Sequence, residues 1–239
     1  GSLRDQCFRD PLHTLLQLVD LLFALPLGLT VSLFVAVLLN RKLIGRPVFR
    51  TIVFLPSLIP VVAGAILWWW ILNGQFGILN YALSQIGIEG PQWLGDPLWT
   101  KPSLILMSLW GIGNTVVIYL AVLQDVPKTL YESADIDGAS PWTRFRHITI
   151  PLISPVIYFN LIMGIIGSLQ VFAQPYIMMG GGGPERSALL YAVYLFENAF
   201  QYFRMGYASA MAYVLFILIV LLTWLATRLS RRYIYYEAG

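Results

Sequence analysis

Five long apolar segments constrain this 239-residue chain more than any other feature. Each supplies about the 20 mostly apolar residues that a helix needs to cross the roughly 30 Å hydrocarbon core of a bilayer. The segments are Leu15–Leu39, Thr51–Leu72, Pro102–Leu123, Ile153–Met178 and Tyr207–Thr227. They predict an all-α fold, a polytopic membrane helix bundle with five visible spans, and a single transmembrane domain over residues 1–239.

The composition excludes the main classes of soluble protein. The chain is 58% hydrophobic and only 11% charged, with a mean hydropathy of +0.71. A soluble domain carries about 25% charged residues, and a core of this size could not hide the apolar excess from water. A cytosolic enzyme and a disordered regulator are therefore excluded. A single cysteine excludes a disulfide scaffold as well.

Basic residues gather at alternate ends of the apolar segments. Ten of the fifteen fall on one side: Arg41, Lys42, Arg46, Arg50, Lys128, Arg144, Arg146, Arg228, Arg231 and Arg232. The five on the other side are Arg4, Arg9, Lys101, Arg186 and Arg204. The positive-inside rule makes the first group, and with it the C-terminus, cytoplasmic. Because the positive charge follows the membrane topology, it predicts contact with lipid and no nucleic acid partner.

The cytoplasmic stretch over residues 124–152 carries the densest local signals. Thr129 and Glu132 have the spacing of a capping box, which predicts a helix beginning there. Gly138 is placed to end that helix in the left-handed conformation. Ser140 followed by Pro141 then predicts the start of a second helix. The residues alone are equally consistent with an amphipathic connector that rests on lipid headgroups.

The same stretch resembles the EAA loop of permease subunits of binding-protein-dependent ABC importers. That signature is Glu-Ala-Ala, three residues, Gly, nine residues, then Ile-x-Leu-Pro. The chain has Glu132-Ser133-Ala134, then Gly138, then Ile148-Thr149-Ile150-Pro151 at the same spacing. Serine and isoleucine replace the first alanine and the leucine.

The resemblance extends over essentially the whole chain and is to the carbohydrate-uptake type of permease. The further similar stretches are residues 40–46, 54–56, 76–80, 181–184 and 199–210. Members of this family usually have six core helices. The resemblance therefore implies a six-helix core whose first helix is lacking here, and a genuine five-helix protein is the alternative.

The family resemblance also implies a function and a set of partners. The chain would be one permease of an ATP-driven importer for a mono-, di- or oligosaccharide, in a prokaryotic inner membrane. Its partners would be a second permease, two ATP-binding subunits and an extracytoplasmic solute-binding protein. The residues implied to dock on an ATP-binding subunit are Glu132, Ser133, Ala134, Asp137 and Gly138.

No catalytic site is predicted in the chain itself. The sequence contains no Gly-x-x-x-x-Gly-Lys-Ser/Thr phosphate loop, so ATP and Mg²⁺ are expected on the partner subunits. The glycine run over residues 180–183 lacks the lysine and is predicted to form a turn. No cluster with the spacing of a metal site is present, so no metal ligand is predicted.

Polar residues inside the spans are the candidates for contact with a substrate, because each is costly in lipid. The resemblance selects Ser57, Ser108, Asn114 and Gln170, and Gln174 is added because it is expected one helical turn from Gln170 on the same face. Hydrogen bonding between helices is the alternative role for all five.

Two other functions remain open at this point. An ion-gradient-driven secondary transporter would need paired carboxylates within spans and internal repeats, and the sequence offers neither. An importer permease for a non-sugar solute would carry a related loop. The EAA-like spacing favours an ABC importer over a secondary transporter, and the resemblance to carbohydrate-uptake permeases favours a sugar as the solute.

Overall fold

The computed structural model describes residues 24–41 and 44–230, and every regular element in these ranges is helical. This agrees with the predicted all-α class. The beginning of the span predicted from Leu15 lies outside the described residues. So do five residues of the charge pattern, namely Arg4, Arg9, Lys42, Arg231 and Arg232.

Twelve α-helices form the described part of the chain. They are α1 (Ala24–Asn40), α2 (Arg46–Phe54), α3 (Val61–Ile71), α4 (Ile78–Gln85), α5 (Pro97–Trp110), α6 (Gly113–Asp125), α7 (Lys128–Ile136), α8 (Pro141–Arg144), α9 (Ile150–Leu169), α10 (Ala173–Met179), α11 (Tyr191–Phe196) and α12 (Met205–Ser230). A π-helical turn, Phe145–Thr149, joins α8 to α9. A second, Glu197–Gln201, extends α11.

The second predicted span is not one helix, which corrects the expectation of a continuous run over Thr51–Leu72. Helix α2 passes into a 3₁₀ turn, Leu55–Leu58, and α3 leaves at an angle of 102°. Ile59 is extended, with φ −74° and ψ 127°, and Pro60 follows it. A residue before proline is disfavoured in the helical region, so the chain turns here.

Two further predicted spans are also interrupted. The third bends by 43° between α5 and α6, where Gly111 and Ile112 separate the two helices. The fourth ends at Leu169 instead of Met178, and α10 begins after three non-helical residues. Uninterrupted apolarity in the sequence therefore hides three breaks in the helices.

By length and composition, two helices in the described ranges can cross a membrane unaided. These are the continuous helix Pro141–Leu169 and α12, and each of the two bent pairs could form one further span. Helix α1 is apolar but shorter. The count of five spans stays a prediction.

Three apolar clusters hold the helices together. One joins α1, α6 and the beginning of α9 around the fully buried Tyr119 and Ile153. A second packs α3 against α10 through Trp68 and Met178. The third joins α9, α11 and α12, where the Tyr191 hydroxyl donates to the Met211 carbonyl oxygen at 2.9 Å. The clusters leave a cavity between α1, α5, α6 and α9.

Candidate functional site: a central cavity and an exposed loop

The cavity has a volume of about 550 Å³ and lies where the interrupted helices meet. Four of the five polar residues singled out in the sequence line it, from three separate parts of the chain: Ser57, Ser108, Asn114 and Gln174. The volume falls in the range of about 300–1,000 Å³ that is usual for small-molecule sites.

The helix breaks are what bring these side chains together. Ser57 lies in the 3₁₀ turn after α2, and Asn114 is the second residue of α6. Both line the cavity because Gly113 lets α6 approach that turn closely. A Cβ on Gly113 would lie 2.7 Å from the Val53 carbonyl oxygen and 2.9 Å from the Ser57 Oγ.

The polar groups of the cavity differ in which hydrogen-bond donors and acceptors remain available to a ligand. The Ser57 hydroxyl donates to the Phe54 carbonyl oxygen at 2.6 Å, and Ser108 does the same to Ile105 at 2.7 Å. Their oxygens can still accept a hydrogen bond. The amides of Asn114 and Gln174 make no hydrogen bond with another described residue. Each therefore offers both a donor and an acceptor to a ligand.

Gln170 does not line the cavity. It is an exposed residue at the end of α9, and its backbone N–H donates to the Gly167 carbonyl oxygen at 3.2 Å. The expectation that Gln170 and Gln174 share one helical face is wrong, because the helix ends between them. Whether Gln170 meets a substrate stays a prediction.

Other lining residues were not selected as substrate contacts from the sequence. Thr115 and Ser32 both face the cavity, and Asn160 lies there with its amide donating to the Val156 carbonyl oxygen at 3.0 Å. Thr115 follows Asn114 directly, and Ser32 lies one turn after Gly28, but these signals are too common in spans to identify a site. Trp110 adds an aromatic wall, with its ring edge-to-face on Trp68 at a centroid distance of 5.8 Å.

The loop over residues 127–149 has two helices that meet at a glycine, as the sequence predicts. Gly138 has φ +72°. Its N–H donates to the Asp135 carbonyl oxygen at 3.1 Å, and the Ala139 N–H donates to that of Ala134 at 2.9 Å. This is the Schellman pattern that satisfies the last carbonyls of a helix. Ser140 caps α8 by accepting from the Thr143 N–H at 3.2 Å.

The predicted capping box is wrong. Helix α7 begins at Lys128, its N-cap is Pro127, and no side chain caps it. Pro127 has ψ 128°, the extended value that suits the residue before a helix. The helix therefore starts before Thr129 could act as its cap.

Most of the loop residues singled out by the sequence are exposed. Glu132, Ser133, Asp137 and Gly138 face solvent, and Ala134 is half-buried. The side chain of Ile136 is 88% exposed. An accessible face with carboxylates around an apolar residue is therefore available for a partner.

Two contacts fix the loop internally. The Tyr131 and Thr149 hydroxyls are 2.9 Å apart and join α7 to the end of the π-helical turn. Arg144 forms an ion pair with Asp135, which joins α8 to α7. Its guanidinium is therefore already engaged inside the chain.

The glycine run over residues 180–183 forms a turn next to Glu197. A Cβ on Gly181 would lie 2.7 Å from the Glu197 Oε1, and Gly181 has φ +98°, so glycine is needed there. Burial raises the pKa of Glu197, and the nearby Arg186 opposes that shift. Within the described ranges, no group of three or more His, Cys, Asp or Glu side chains converges as a metal site would require.

Comparison with known proteins gives a family match over most of the chain. Residues 28–235 match the model of the family described as binding-protein-dependent transport system inner membrane component.

Individual relatives agree with that match. The chain is 40% identical over 222 residues to the probable ABC transporter permease protein YesP of Bacillus subtilis, covering 91% of this chain and 71% of the relative. It is 37% identical to the lactose transport system permease protein LacF of Rhizobium radiobacter, covering 84% and 69%. Among solved structures, a bacterial alginate ABC transporter in complex with an alginate-pentasaccharide-bound periplasmic protein matches with a TM-score of 0.82 and 27% identity. That match covers 90% of this chain and 76% of the other.

Proposed function

Because the chain belongs to the family of binding-protein-dependent transport system inner membrane components, we propose that it is one permease of an ATP-driven carbohydrate importer. The family match over residues 28–235 carries this proposal. Relatives named for lactose and alginate transport support a saccharide as the cargo. A saccharide would arrive on a solute-binding protein, as in the alginate complex with its periplasmic protein.

The central cavity forms this chain's half of the translocation pathway in the proposal. Ser57, Ser108, Asn114 and Gln174 offer hydroxyl and amide groups, which suit the hydroxyls of a sugar because each of those can both donate and accept a hydrogen bond. A second permease completes the pathway from the other side. Opening of the cavity to each side in turn would move the sugar across the bilayer.

The loop within residues 124–152 couples the chain to an ATP-binding subunit. Glu132, Ser133, Ala134, Asp137 and Gly138 form the contact, and two such subunits bind and hydrolyse ATP with Mg²⁺. The hydrogen bond between Tyr131 and Thr149 supports this role, because it links α7 to the continuous helix Pro141–Leu169, along which a movement of the loop would reach the cavity wall.

The proposal also includes an orientation of the chain in the membrane. Residues 1–239 act as one transmembrane domain, with the loop and the C-terminus in the cytoplasm. The outer segments 75–95 and 180–203 then face the binding protein.

ATP hydrolysis by the assembled complex in nanodiscs tests the proposal. The assay contains both permeases, the two ATP-binding subunits and the binding protein, and each sugar of a panel is added in turn. We expect one sugar to stimulate hydrolysis, and we expect Glu132→Lys and Gly138→Asp to abolish the stimulation. Glu132→Gln, which keeps the size of the side chain, should lose less.

Two results would contradict the proposal. One is a chain that purifies without any ATP-binding subunit. The other is uptake that follows a proton or sodium gradient and not ATP. Co-purification of the subunits is measured for every variant, so that a loss of assembly is separated from a loss of coupling.

A further inference from the structure

The cavity contains no ionisable side chain among the described residues that line it. Its polar groups are hydroxyls and amides, and the rest of its wall is apolar or aromatic. We propose that this chain's half of the pathway selects uncharged saccharides and rejects acidic ones. The inference rests on the proposed function and specifies its substrate class.

Charged residues are few in the helices that surround the cavity, and α2 carries two, Arg46 and Arg50, which are outside the lining. Helices α1, α3 and α9 contain no Asp, Glu, Lys or Arg, and in α6 only the last residue, Asp125, is charged. In α5 the only charged residue is Lys101, one turn from the beginning of the helix and outside the lining. The ion pair of Arg144 with Asp135 lies in the loop. A carboxylate in the cavity would therefore find no counter-charge among the described residues that line it.

The energetic consequence differs between the two kinds of sugar. A carboxylate that leaves water without a paired charge loses several kcal/mol of solvation, even after the surroundings relax. A sugar hydroxyl loses much less, and it regains a hydrogen bond from an amide or a serine oxygen. The amides of Asn114 and Gln174, which make no hydrogen bond with another described residue, are suited to this exchange.

The apolar part of the cavity wall also favours an uncharged sugar. Trp110, Met107 and Met163 line the cavity beside the amides. A pyranose ring presents C–H groups on its faces and hydroxyls around its edge, so it matches a wall that offers both apolar and amide groups. This complementarity does not depend on any charge.

Relatives show that the fold alone does not decide the charge of the cargo. One similar permease is named for lactose, which is neutral, and the similar solved structure belongs to a transporter of alginate, an acidic polysaccharide. Side chains such as those of the cavity, and not the fold, are therefore where a permease can distinguish the charge of its cargo.

Equilibrium binding to the assembled complex in nanodiscs, without the binding protein, tests the inference. The probes are neutral saccharides (lactose, trehalose, maltotriose and α-1,4-linked galactotriose) and one matched acid, trigalacturonate, which differs from that galactotriose only by oxidation of C6 to a carboxylate in each residue. Binding is followed by saturation-transfer NMR. We expect saturable binding of at least one neutral sugar and at least tenfold weaker binding of trigalacturonate than of galactotriose.

Substitutions of cavity residues test whether the sugar binds in this cavity. Asn114→Leu and Gln174→Leu should each weaken neutral-sugar binding several-fold. Asn114→Asp, which nearly keeps the shape but adds a charge, should weaken trigalacturonate binding further. Tyr213→Phe removes an exposed hydroxyl on α12, outside the cavity, and should change neither affinity. The thermal-unfolding midpoint of each complex shows whether a variant remains folded.

The possible outcomes separate the inference from the proposed function. If trigalacturonate binds as tightly as galactotriose or more tightly, and Asn114→Leu weakens it, the inference is overturned while a saccharide importer stands. If neutral binding is unchanged by both leucine variants, the inference is overturned because the cavity does not select. If no saccharide of either charge binds or stimulates ATP hydrolysis, the proposed function itself fails.

Discussion

The loop over residues 127–149 and the central cavity differ in how far apart their parts lie in the sequence. Loop contacts are local: Asp135 pairs with Arg144, and Tyr131 meets Thr149 only 18 residues away. The cavity is lined by residues from Ala24 to Gln174, on helices separated by interruptions. The loop can therefore be damaged by changing one backbone angle, whereas the cavity depends on how helices cross.

That difference predicts where single substitutions act. A change in the loop should alter coupling and leave the cavity as it is. A change at a helix crossing should alter the cavity and the stability of the bundle together.

The largest expected effect is that of Gly113→Ala. Its Cβ would meet the Val53 carbonyl oxygen at 2.7 Å and the Phe54 Cα at 3.0 Å, and both are backbone atoms that cannot rotate away. Overpacking of this kind costs about 1–3 kcal/mol and would push α6 from the turn that carries Ser57. We expect a lower thermal-unfolding midpoint and at least a tenfold loss of uptake.

Gly167→Ala is the matched control for that prediction. Gly167 also lines the cavity, but a Cβ there would meet nothing within 4 Å. Alanine should be tolerated at this helical position and could raise stability, since glycine weakens a helix by about 1 kcal/mol. Equal effects of the two substitutions would contradict the importance of the crossing at Gly113.

Gly138→Ala should have a smaller effect, confined to coupling. A Cβ on Gly138 would meet nothing within 4 Å, so the cost is the left-handed φ of +72° alone, about 1 kcal/mol. We expect about a fivefold loss of sugar-stimulated ATP hydrolysis, with sugar binding to the cavity unchanged. Gly138→Asn should lose less, because asparagine tolerates this conformation better. Equal losses for Ala and Asn would show that the backbone angle is not the cause.

The loop was the more predictable of the two regions, because its signals are local. Gly138 at the end of α7 and Ser140 at the beginning of α8 were both expected, and the structure confirms both. The start of α7 was missed because Pro127 provides an extended N-cap without a side-chain hydrogen bond. A capping box describes one way to begin a helix, and the chain uses another.

The cavity could be predicted only in part. The sequence identified Ser57, Ser108, Asn114 and Gln174 as polar residues within apolar runs, and all four line it. It did not show the break that separates Gln170 from Gln174, because the intervening Val171–Ala173 are as apolar as the helix before them. Where a helix ends inside a span depends on packing with its neighbours, and hydropathy does not record that.

The smallest expected effect is that of breaking the ion pair between Asp135 and Arg144 inside the loop. The Asp135 side chain is 58% exposed and that of Arg144 is 23% exposed, so their ion pair is worth about 0.2–1 kcal/mol. We expect Asp135→Ala or Arg144→Ala to lower the number of sugars imported per ATP hydrolysed up to about fivefold, with less effect at high salt. The charge-swapped pair, Asp135→Arg with Arg144→Asp, should recover most of the loss. Arg146→Ala, at an exposed neighbour, serves as the control. A swapped pair no better than either single variant would mean that Arg144 acts on something other than Asp135, and that the loop is not held together from within.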